Sequence, residues 1–265
     1  MLIENTFFGE VNKEEIEIQR ILEFQNKYAE NENIVAFIGG KDSIVLKDLC
    51  KRAGIKYRFI YSQTSVDSPE LIYYIRKHHP DVEIKPYDTF EDGTPVTMWN
   101  LIPRKLMPPT RLIRYCCDVL KERTGNDGDT VYLGVRWSES NKRSKLHMIG
   151  FWKGKTVVRP IIDWSDEDVW EYIHKYKLPY CELYDKGFKR IGCIGCPLNS
   201  STQAKELEAY PKFKEAYIRA FERMINERQR KGKQCKWKDG QEVMTWWLNQ
   251  AKKQENEGTQ CSFME

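Results

Sequence analysis

A short apolar segment that runs into two glycines constrains the fold of this chain most strongly. Residues 34–38 form a continuous apolar run, IVAFI, which is typical of a strand buried in a parallel sheet. Gly39 and Gly40 interrupt this run, and an apolar pattern of helical spacing then continues until Gly54. A strand that enters a helix through a tight turn predicts an α/β fold.

The alternation of strand-like and helix-like segments continues to about residue 165. Strands are predicted at 34–38, 56–61, 82–85, 131–135 and 157–162, and helices at 13–30, 42–53, 69–79, 97–102 and 165–174. Ser165 and Asp168 form a capping-box-like pattern at the start of the last of these helices, and we interpret His78 and His79 as charges at the end of the third. Beyond this part, the chain has a C-x-x-C segment, a helical pair broken near Pro211 and a short amphipathic helix. We therefore predict an α/β domain with a parallel sheet over residues 1–165 and a cysteine-bearing, helical C-terminal region over residues 166–265.

The glycine turn is a candidate anion site. Glycines let backbone N–H groups approach an anion closely, and the helix that follows presents its positive end to the same place. Lys41 adds a cation and Ser43 a hydroxyl. The spacing differs from that of a Walker loop, and an ordinary tight turn before a helix is the alternative.

Two further loops carry charged residues where open α/β sheets bind ligands, beyond the carboxyl ends of strands. Asp67 follows the second predicted strand, where it could contact a ribose or a metal, and a helix cap is an equal alternative. Arg136, Ser140, Lys142 and Arg143 follow the strand at 131–135, and we expect a polar helix to begin there. These residues suit an anion, and a solvated helix face is the alternative.

Four cysteines form two pairs that are distant in sequence. Cys116 and Cys117 are adjacent, and Cys193 and Cys196 form a C-x-x-C. Four thiolates suit tetrahedral zinc or an iron–sulfur cluster, and four buried structural thiols are the third interpretation. Adjacent cysteines spread their sulfurs more widely than a C-x₂₋₄-C pair, which favours the larger cluster.

Composition limits the compartment and the class of partner. The net charge of +4 is compatible with an anionic substrate or with nucleic acid. No apolar run is long enough to span a membrane, and the N-terminus does not resemble a signal peptide, so we predict a cytoplasmic protein without a membrane partner. Eight cysteines then favour metal over disulfides. The aromatic and basic C-terminal part could stack nucleobases, but helical spacing favours a core role for its rings.

The chain resembles the phosphoadenosine phosphosulfate reductase family, whose fold is the adenine nucleotide α-hydrolase-like (HUP) fold. The residues that carry this resemblance are IGGKDS (38–43), TSVDSPEL (64–71), MPPTRLIRYCCDVLK (107–121), GVRWSESNKR (134–143), PIIDWSDEDVW (160–170) and YCELYDKGFKRIGCIGCP (180–197). The resemblance implies a four-iron, four-sulfur (4Fe-4S) cluster whose ligands are Cys116, Cys117, Cys193 and Cys196. It also implies an adenine nucleotide at the first motif, which is similar to the PP-loop, S-G-G-x-D-S.

The resemblance assigns roles to individual residues. Phosphate or sulfate would be held by the loop residues Gly39, Gly40, Lys41, Asp42 and Ser43. Arg136 and Arg143 would hold the charge of the transferred group. Ile38 departs from the family pattern, because it stands where the PP-loop has serine, and it removes one hydroxyl donor.

A second departure concerns the nucleophile. Reductases of this family attack with a cysteine in a C-terminal Glu-Cys-Gly-x-His motif, which this chain lacks. Cys261 lies in the C-terminal tail as TQCSFM and is the candidate nucleophile, although an unassisted thiol is only a few per cent thiolate at neutral pH. Cys181 and Cys235 are weaker candidates.

Three functions follow from the resemblance. The first is a reductase that converts adenylyl sulfate (APS) or phosphoadenylyl sulfate (PAPS) to sulfite with a thioredoxin-type reductant. The second is an ATP pyrophosphatase that uses Mg²⁺ and adenylates a nucleic acid or another acceptor for sulfur insertion. The third is a nucleotide-binding module whose catalysis is impaired, which the residue Ile38 favours. The nucleotide and the oligomeric state are left open by the sequence.

Overall fold

A computed structural model describes residues 2–7, 9–25 and 32–260 of the chain. Its strands are β1 (Ile3–Thr6), β2 (Gly9–Asn12), β3 (Asn33–Ala36), β4 (Arg58–Ser62), β5 (Val82–Lys85), β6 (Thr130–Tyr132), β7 (Ile149–Trp152) and β8 (Lys155–Val158). Within this part of the chain, β1 and β2 form an antiparallel hairpin, and the other strands form one sheet in the order β5-β4-β3-β6-β8-β7. All neighbours in that sheet are parallel except β7, which runs antiparallel to β8.

The helices follow the apolar spacing of the sequence. They are α1 (Lys13–Phe24), α2 (Lys41–Ala53), α3 (Pro69–His78), α4 (Met98–Lys105), α5 (Asp166–Lys175), α6 (Ser200–Ala209), α7 (Pro211–Arg230) and α8 (Gly240–Gln260). Helix α2 ends at Gly54, whose φ of 68° is the left-handed conformation that glycine adopts without strain. Helix α5 begins with the predicted capping box of Ser165 and Asp168. None of the helices in the described ranges is long and apolar enough to cross a bilayer.

The chain forms two compact units, each assembled from separate stretches of sequence. The first unit comprises residues 1–62, 69–85 and 124–191, and the second comprises 63–68, 86–123 and 192–265. Each unit has its own hydrophobic core. The chain passes between the units several times, whereas the sequence predicts a single boundary at residue 165. The predicted division into a nucleotide-binding domain and a cysteine-bearing region stays a prediction.

The sheet, with α1, α2, α3 and α5, belongs to the first unit. Its core includes Val35 from β3, Leu46 from α2, Tyr132 from β6 and Trp164, all of which are almost fully buried. The second unit is helical around the aromatic rings of Tyr217, Phe221 and Trp247. The predicted α/β class with a parallel sheet and a helical extension is confirmed, and these C-terminal rings are core residues.

Two local predictions are wrong. The segment after β6 does not begin a polar helix, because only a single 3-10 turn, Trp137–Glu139, forms there. His78 and His79 were both expected to be helix-end charges, but His79 is buried between Lys47 and Tyr74, with Lys47 Nζ 3.1 Å from Nδ1. Burial and the charge of Lys47 lower the pKa of His79 to about 3, so its imidazole is neutral.

Candidate functional site

The glycine turn lies at the point where the sheet changes direction. From β3 the chain builds outward through β4 and β5, and it then returns to place β6 on the other side of β3. In doubly wound sheets, such a switch point forms a crevice beyond the carboxyl ends of the strands, which here are β3 and β6, and ligands bind in this crevice. Gly39 and Gly40 follow the first of these strands, and Gly134 follows the second.

The turn needs glycine for two physical reasons. Gly39 has a φ of 71°, and a Cβ at this position would lie 2.5 Å from Leu71 Cδ1. In the loop that follows β6, a Cβ at Gly134 would lie 2.9 Å from the backbone carbonyl of Asp42. The turn between β3 and α2 is therefore packed closely against both neighbouring segments.

Hydrogen bonds fix the start of α2. The Ser43 hydroxyl donates to the Gly40 carbonyl at 2.8 Å, and the backbone N–H of Lys41 donates to the Tyr184 hydroxyl at 2.9 Å. The Ile38 N–H points to Ser43 Oγ at 3.4 Å. Ile38 itself is 47% exposed, so an apolar side chain faces solvent where the PP-loop has serine.

Two of the cations predicted to hold anions are bound to carboxylates. Lys41 Nζ lies 2.9 Å from Asp166 Oδ1, and Arg136 Nη2 lies 2.7 Å from the same oxygen. Arg136 Nε also donates to Asp42 Oδ1 at 2.6 Å. Arg136 is only 2% exposed and further donates to Ser138 Oγ at 2.8 Å, so its guanidinium is directed at protein groups.

This network sets the charge states of its carboxyls. Burial alone would raise the pKa of Asp166, but hydrogen bonds from Lys41 and Arg136 hold that pKa below its usual value. Burial dominates at Asp42 and raises its pKa even though Arg136 lies beside it. The Asp166 carboxylate therefore already pairs with Lys41 and Arg136, the cations that an incoming anion would need.

The remaining residues predicted for this site have local partners. Arg143 forms an ion pair with Glu139, four residues before it. Asp67, which belongs to the second unit, accepts a hydrogen bond from the Thr64 N–H at 2.8 Å and closes its own loop. Their roles toward a nucleotide or a metal stay predictions.

The second unit contains all four cysteines of the two pairs. Cys116 and Cys193 pack against the same hydrophobic core, and Cys193 forms an isolated antiparallel bridge with Asp67. The four thiols are close enough for their charges to interact. A hydrogen bond with Cys117, burial and the charges of Cys117, Cys193 and Cys196 all raise the pKa of Cys116.

A five-residue π-helix, Cys117–Lys121, carries the second cysteine of the first pair. It ends with the N–H of Glu122 donating to the Cys117 carbonyl at 2.9 Å. Single π-helical turns occur frequently at functional sites. The charges of Cys193, Asp67, Cys196 and Cys117 raise the pKa of Lys121, although burial opposes them.

The four thiols are chemically suitable ligands for the predicted cluster, because they all belong to the second unit and have cations beside them. Arg114 and Lys121 are the two cations that act on Cys117. Among residues 2–7, 9–25 and 32–260, however, no group of three or more His, Cys, Asp or Glu is arranged so that it could hold a metal ion. The cluster therefore stays a prediction. The candidate nucleophile Cys261 lies outside the described residues.

Sequence reasoning gave no role to three residues of these sites. Gly134 and Asp166 belong to motifs that carry the family resemblance. Gly134 lies two residues after β6 and Asp166 begins α5, and these positions at the ends of elements were the available signal. Lys121 lies four residues after Cys117. Its charge helps to lower the pKa of Cys117, which the sequence spacing alone does not show.

Comparison with known proteins identifies the family. The family model for the phosphoadenosine phosphosulfate reductase domain matches residues 32–199, well over half of the chain. The chain belongs to this family. The match extends from the start of β3 to the residues after Cys196, so it includes the glycine turn and both cysteine pairs.

Two individual proteins and one solved structure illustrate what the chain is similar to. An uncharacterized protein of Methanocaldococcus jannaschii is 31% identical over 80% of this chain, which spans 55% of that relative's length. An adenosine 5'-phosphosulfate reductase of Staphylococcus epidermidis is 27% identical over 71% of this chain and 79% of its own length. The phosphoadenylyl-sulfate reductase structure from Candida auris overlaps 69% of this chain and 88% of its own chain, with 18% identity and a TM-score of 0.47.

Proposed function

We propose that this protein binds APS or PAPS in the crevice between the ends of β3 and β6 and reduces the sulfonucleotide to sulfite. The glycine turn at the switch point of the sheet carries this proposal, because its backbone and the start of α2 favour an anion. Membership of the reductase family supports the sulfonucleotide as the anion.

The residues of the crevice have distinct tasks in this proposal. Backbone N–H groups of the turn would hold the phosphate or sulfate, and Lys41 would leave Asp166 to contact it. Arg136, which binds both Asp42 and Asp166, would keep these two carboxylates in place. A thiolate, with Cys261 as the candidate, would attack the sulfuryl sulfur and expel the nucleotide as the leaving group. A thioredoxin-type dithiol would then release sulfite from the thiosulfonate and become a disulfide itself.

One observation favours the ATP pyrophosphatase as the second candidate. The described thiols of the first unit are Cys50 and Cys181, both are fully buried, and burial raises the pKa of each. Neither can act as the nucleophile. In this second candidate, an acceptor oxygen of a nucleic acid or another molecule attacks the α-phosphate of ATP, and pyrophosphate leaves with Mg²⁺.

In either candidate, we propose Cys116, Cys117, Cys193 and Cys196 as the ligands of a 4Fe-4S cluster. Such a cluster would supply an electrostatic or sulfur-handling centre. The cationic Lys121 and Arg114 would offset the negative charge of thiolate ligands. These proposals agree with a cytoplasmic protein, where thiols stay reduced.

One anaerobic experiment separates the two reactions. The protein is incubated with APS plus a thioredoxin, with PAPS plus a thioredoxin, or with ATP and Mg²⁺, and sulfite and pyrophosphate are measured. Sulfite supports the reductase, and pyrophosphate from ATP supports the second candidate. Lys41→Ala should lower either product, whereas the surface control Lys186→Ala should not, since Lys186 is an exposed residue that pairs with the exposed Glu182. Sulfite that survives Cys261→Ser would exclude that thiol.

A further inference from the structure

Positive charge is concentrated where α7 ends and the chain crosses to α8, within the second unit. Residues 228–238, RQRKGKQCKWK, contain six Lys and Arg residues and no Asp or Glu. We call this segment the basic loop. The proposed reaction at the glycine turn uses none of its residues.

Hydrogen bonds hold the basic loop in one conformation. Gly232 follows α7 with a φ of 64°, and its N–H and that of Lys233 donate to α7 carbonyls at 2.9 Å in a Schellman motif. The Arg228 guanidinium donates to the carbonyls of Gln234 and Leu106, at 3.2 and 2.7 Å. The loop is therefore closed on itself and tied to the end of α4.

Contacts around Trp237 bring the basic side chains of both halves of the loop together. Lys236 Nζ lies 5.0 Å from the centroid of the Trp237 ring and 4.8 Å from that of Trp246. The two indoles meet edge to face, with their centroids 4.9 Å apart. The guanidinium carbon of Arg228 lies 6.0 Å from the Trp237 centroid. Cations from the end of α7 and from the segment before α8 thus lie beside one indole and belong to one surface.

The lysines of this surface are not neutralised by carboxylates. Within the part of the chain that the structure describes, no ion pair is formed by the exposed residues Lys231, Lys233, Lys236 and Lys238. Arg230 pairs with Glu227. The carboxylates of Asp239 and Glu242 accept hydrogen bonds from the backbone N–H groups of Glu242 and Lys238. An anionic ligand would therefore meet four cations that no protein carboxylate has to release.

The covered ring of the basic loop narrows the class of ligand. Trp237 is its one large apolar side chain and is only 7% exposed, and the neighbouring Trp246 is half-buried. Segments that bind membranes insert exposed apolar side chains, and proteins that bind single strands stack bases on exposed rings. Lysine is also depleted in protein–protein interfaces. A surface that offers lysines alone suits a ligand that is recognised through its phosphates, as the backbone of a duplex is.

We propose that the basic loop binds the phosphate backbone of a nucleic acid duplex without reading its sequence. Its four unpaired lysines contact phosphate oxygens, while Arg228 and Trp237 maintain the shape of the loop. Each lysine that neutralises a phosphate releases condensed counterions, so the affinity falls as the salt concentration rises. This inference goes beyond the reaction at the glycine turn and depends on neither of the two candidate reactions.

Fluorescence anisotropy on the full-length protein tests the proposal with labelled DNA and RNA duplexes of about 20 base pairs, or two helical turns. Lys233→Gln and Lys236→Gln should each weaken binding roughly fivefold at about 0.1 M salt. For the DNA duplex, each variant should also reduce the slope of log K against log salt by about 0.9. Duplexes of unrelated sequence should bind equally, and a preference for DNA or RNA would identify the source of the backbone.

The matched control is Lys212→Gln. Lys212 is an exposed lysine of the same unit, but it lies at the opposite end of α7, a helix about 30 Å long. This variant should bind the duplex as wild type does. Sulfite or pyrophosphate formation from free nucleotides should be unchanged in Lys236→Gln, so failure here is distinguishable from failure of the proposed reaction.

Four results would overturn the proposal. The first is the absence of duplex binding at about 50 mM salt, and the second is an equal loss of binding in Lys212→Gln. The third is tighter binding of a single strand of the same length, which would require base stacking. The fourth is that Lys236→Gln weakens binding to anionic phospholipid vesicles and leaves duplex binding unchanged, which would make the basic loop a membrane contact.

Discussion

Asp166 places its carboxylate 2.9 Å from the ammonium of Lys41, at the mouth of the crevice beside the glycine turn. The side chain of Lys41 is 9% exposed, whereas that of Asp166 is 52% exposed. The buried partner is thus the cation, and the accessible partner is the carboxylate. An anion that enters the crevice competes with the Asp166 carboxylate for the ammonium of Lys41, so Asp166 is a competitor of the ligand within the protein itself.

Asp166→Asn should therefore strengthen the binding of pyrophosphate and of nucleotides. The variant removes the negative charge that pairs with Lys41 and Arg136. Because an anion no longer has to displace these two partly exposed ion pairs, its affinity should rise roughly three- to tenfold. Isothermal titration calorimetry with pyrophosphate and with APS measures the change. Glu182→Gln is the control, because it removes a surface carboxylate that pairs with Lys186. Weaker binding by Asp166→Asn would show that Asp166 assists the ligand.

Ile38→Ser should also strengthen nucleotide binding. The side chain of Ile38 is about half exposed beside the turn, and serine would restore a hydroxyl donor where the PP-loop has one. A hydrogen bond to a charged group contributes about 1.5 kcal/mol or more, which corresponds to about a tenfold gain in affinity. Ile38→Val is the matched control, since it shortens the side chain without adding a donor. Equal affinities of the serine and valine variants would contradict the placement of the phosphate at this turn.

The order of the parallel strands and of the helices between them was predictable because local patterns determine it, whereas the strands β1, β2 and β7 were not predicted. The apolar run of β3, Gly54 at the end of α2 and the capping box of α5 are each read from neighbouring residues. The antiparallel direction of β7 was not predictable, since it depends on a two-residue turn at Lys153 and Gly154 and on which strand end that turn meets. Tertiary contacts decide such features.

The candidate site was predictable by residue type and only partly by arrangement. Lys41 and Arg136 were expected to face a ligand, and the sequence offers no sign that Asp166, a residue of another helix, binds both. The burial of His79 was missed for the same reason. Its partner Lys47 comes from α2, 32 residues earlier, and a charge pattern on one helix cannot show that contact.

His79 should make stability fall as the solution becomes acidic. Burial and Lys47 lower its pKa in the folded protein to about 3, from an ordinary value of 6.5. Between these values the unfolded chain binds a proton that the folded protein does not, so stability is complete above pH 6.5 and is lost as the pH falls toward 3. With these two pKa values, the loss should reach roughly 2–3 kcal/mol by about pH 4.5.

Urea denaturation at neutral pH and at about pH 4.5 checks the effect of His79. His79→Asn should show a smaller difference between the two conditions than wild type, because asparagine does not titrate. His78→Asn is the matched control, since His78 is the exposed neighbour on the same helix end. The other groups near His79, which are Asp81, Lys47, Lys51 and Tyr74, are unchanged in both variants. An equal acid effect in both variants would assign the loss of stability to other groups.

The cysteine pairs lead to a prediction about iron. Cys193→Ala should abolish visible absorption and bound iron in anaerobically purified protein, because a cluster loses one of four proposed ligands. Cys235→Ala is the matched control, since Cys235 is also half-buried and packs against the same core of the second unit. Cys235 has the Trp237 carbonyl as its own hydrogen-bond partner at 3.5 Å. A colourless wild-type protein with one zinc per chain would replace the cluster by a zinc site. Iron that is retained in Cys193→Ala and lost in Cys235→Ala would assign the ligands to a different set of thiols.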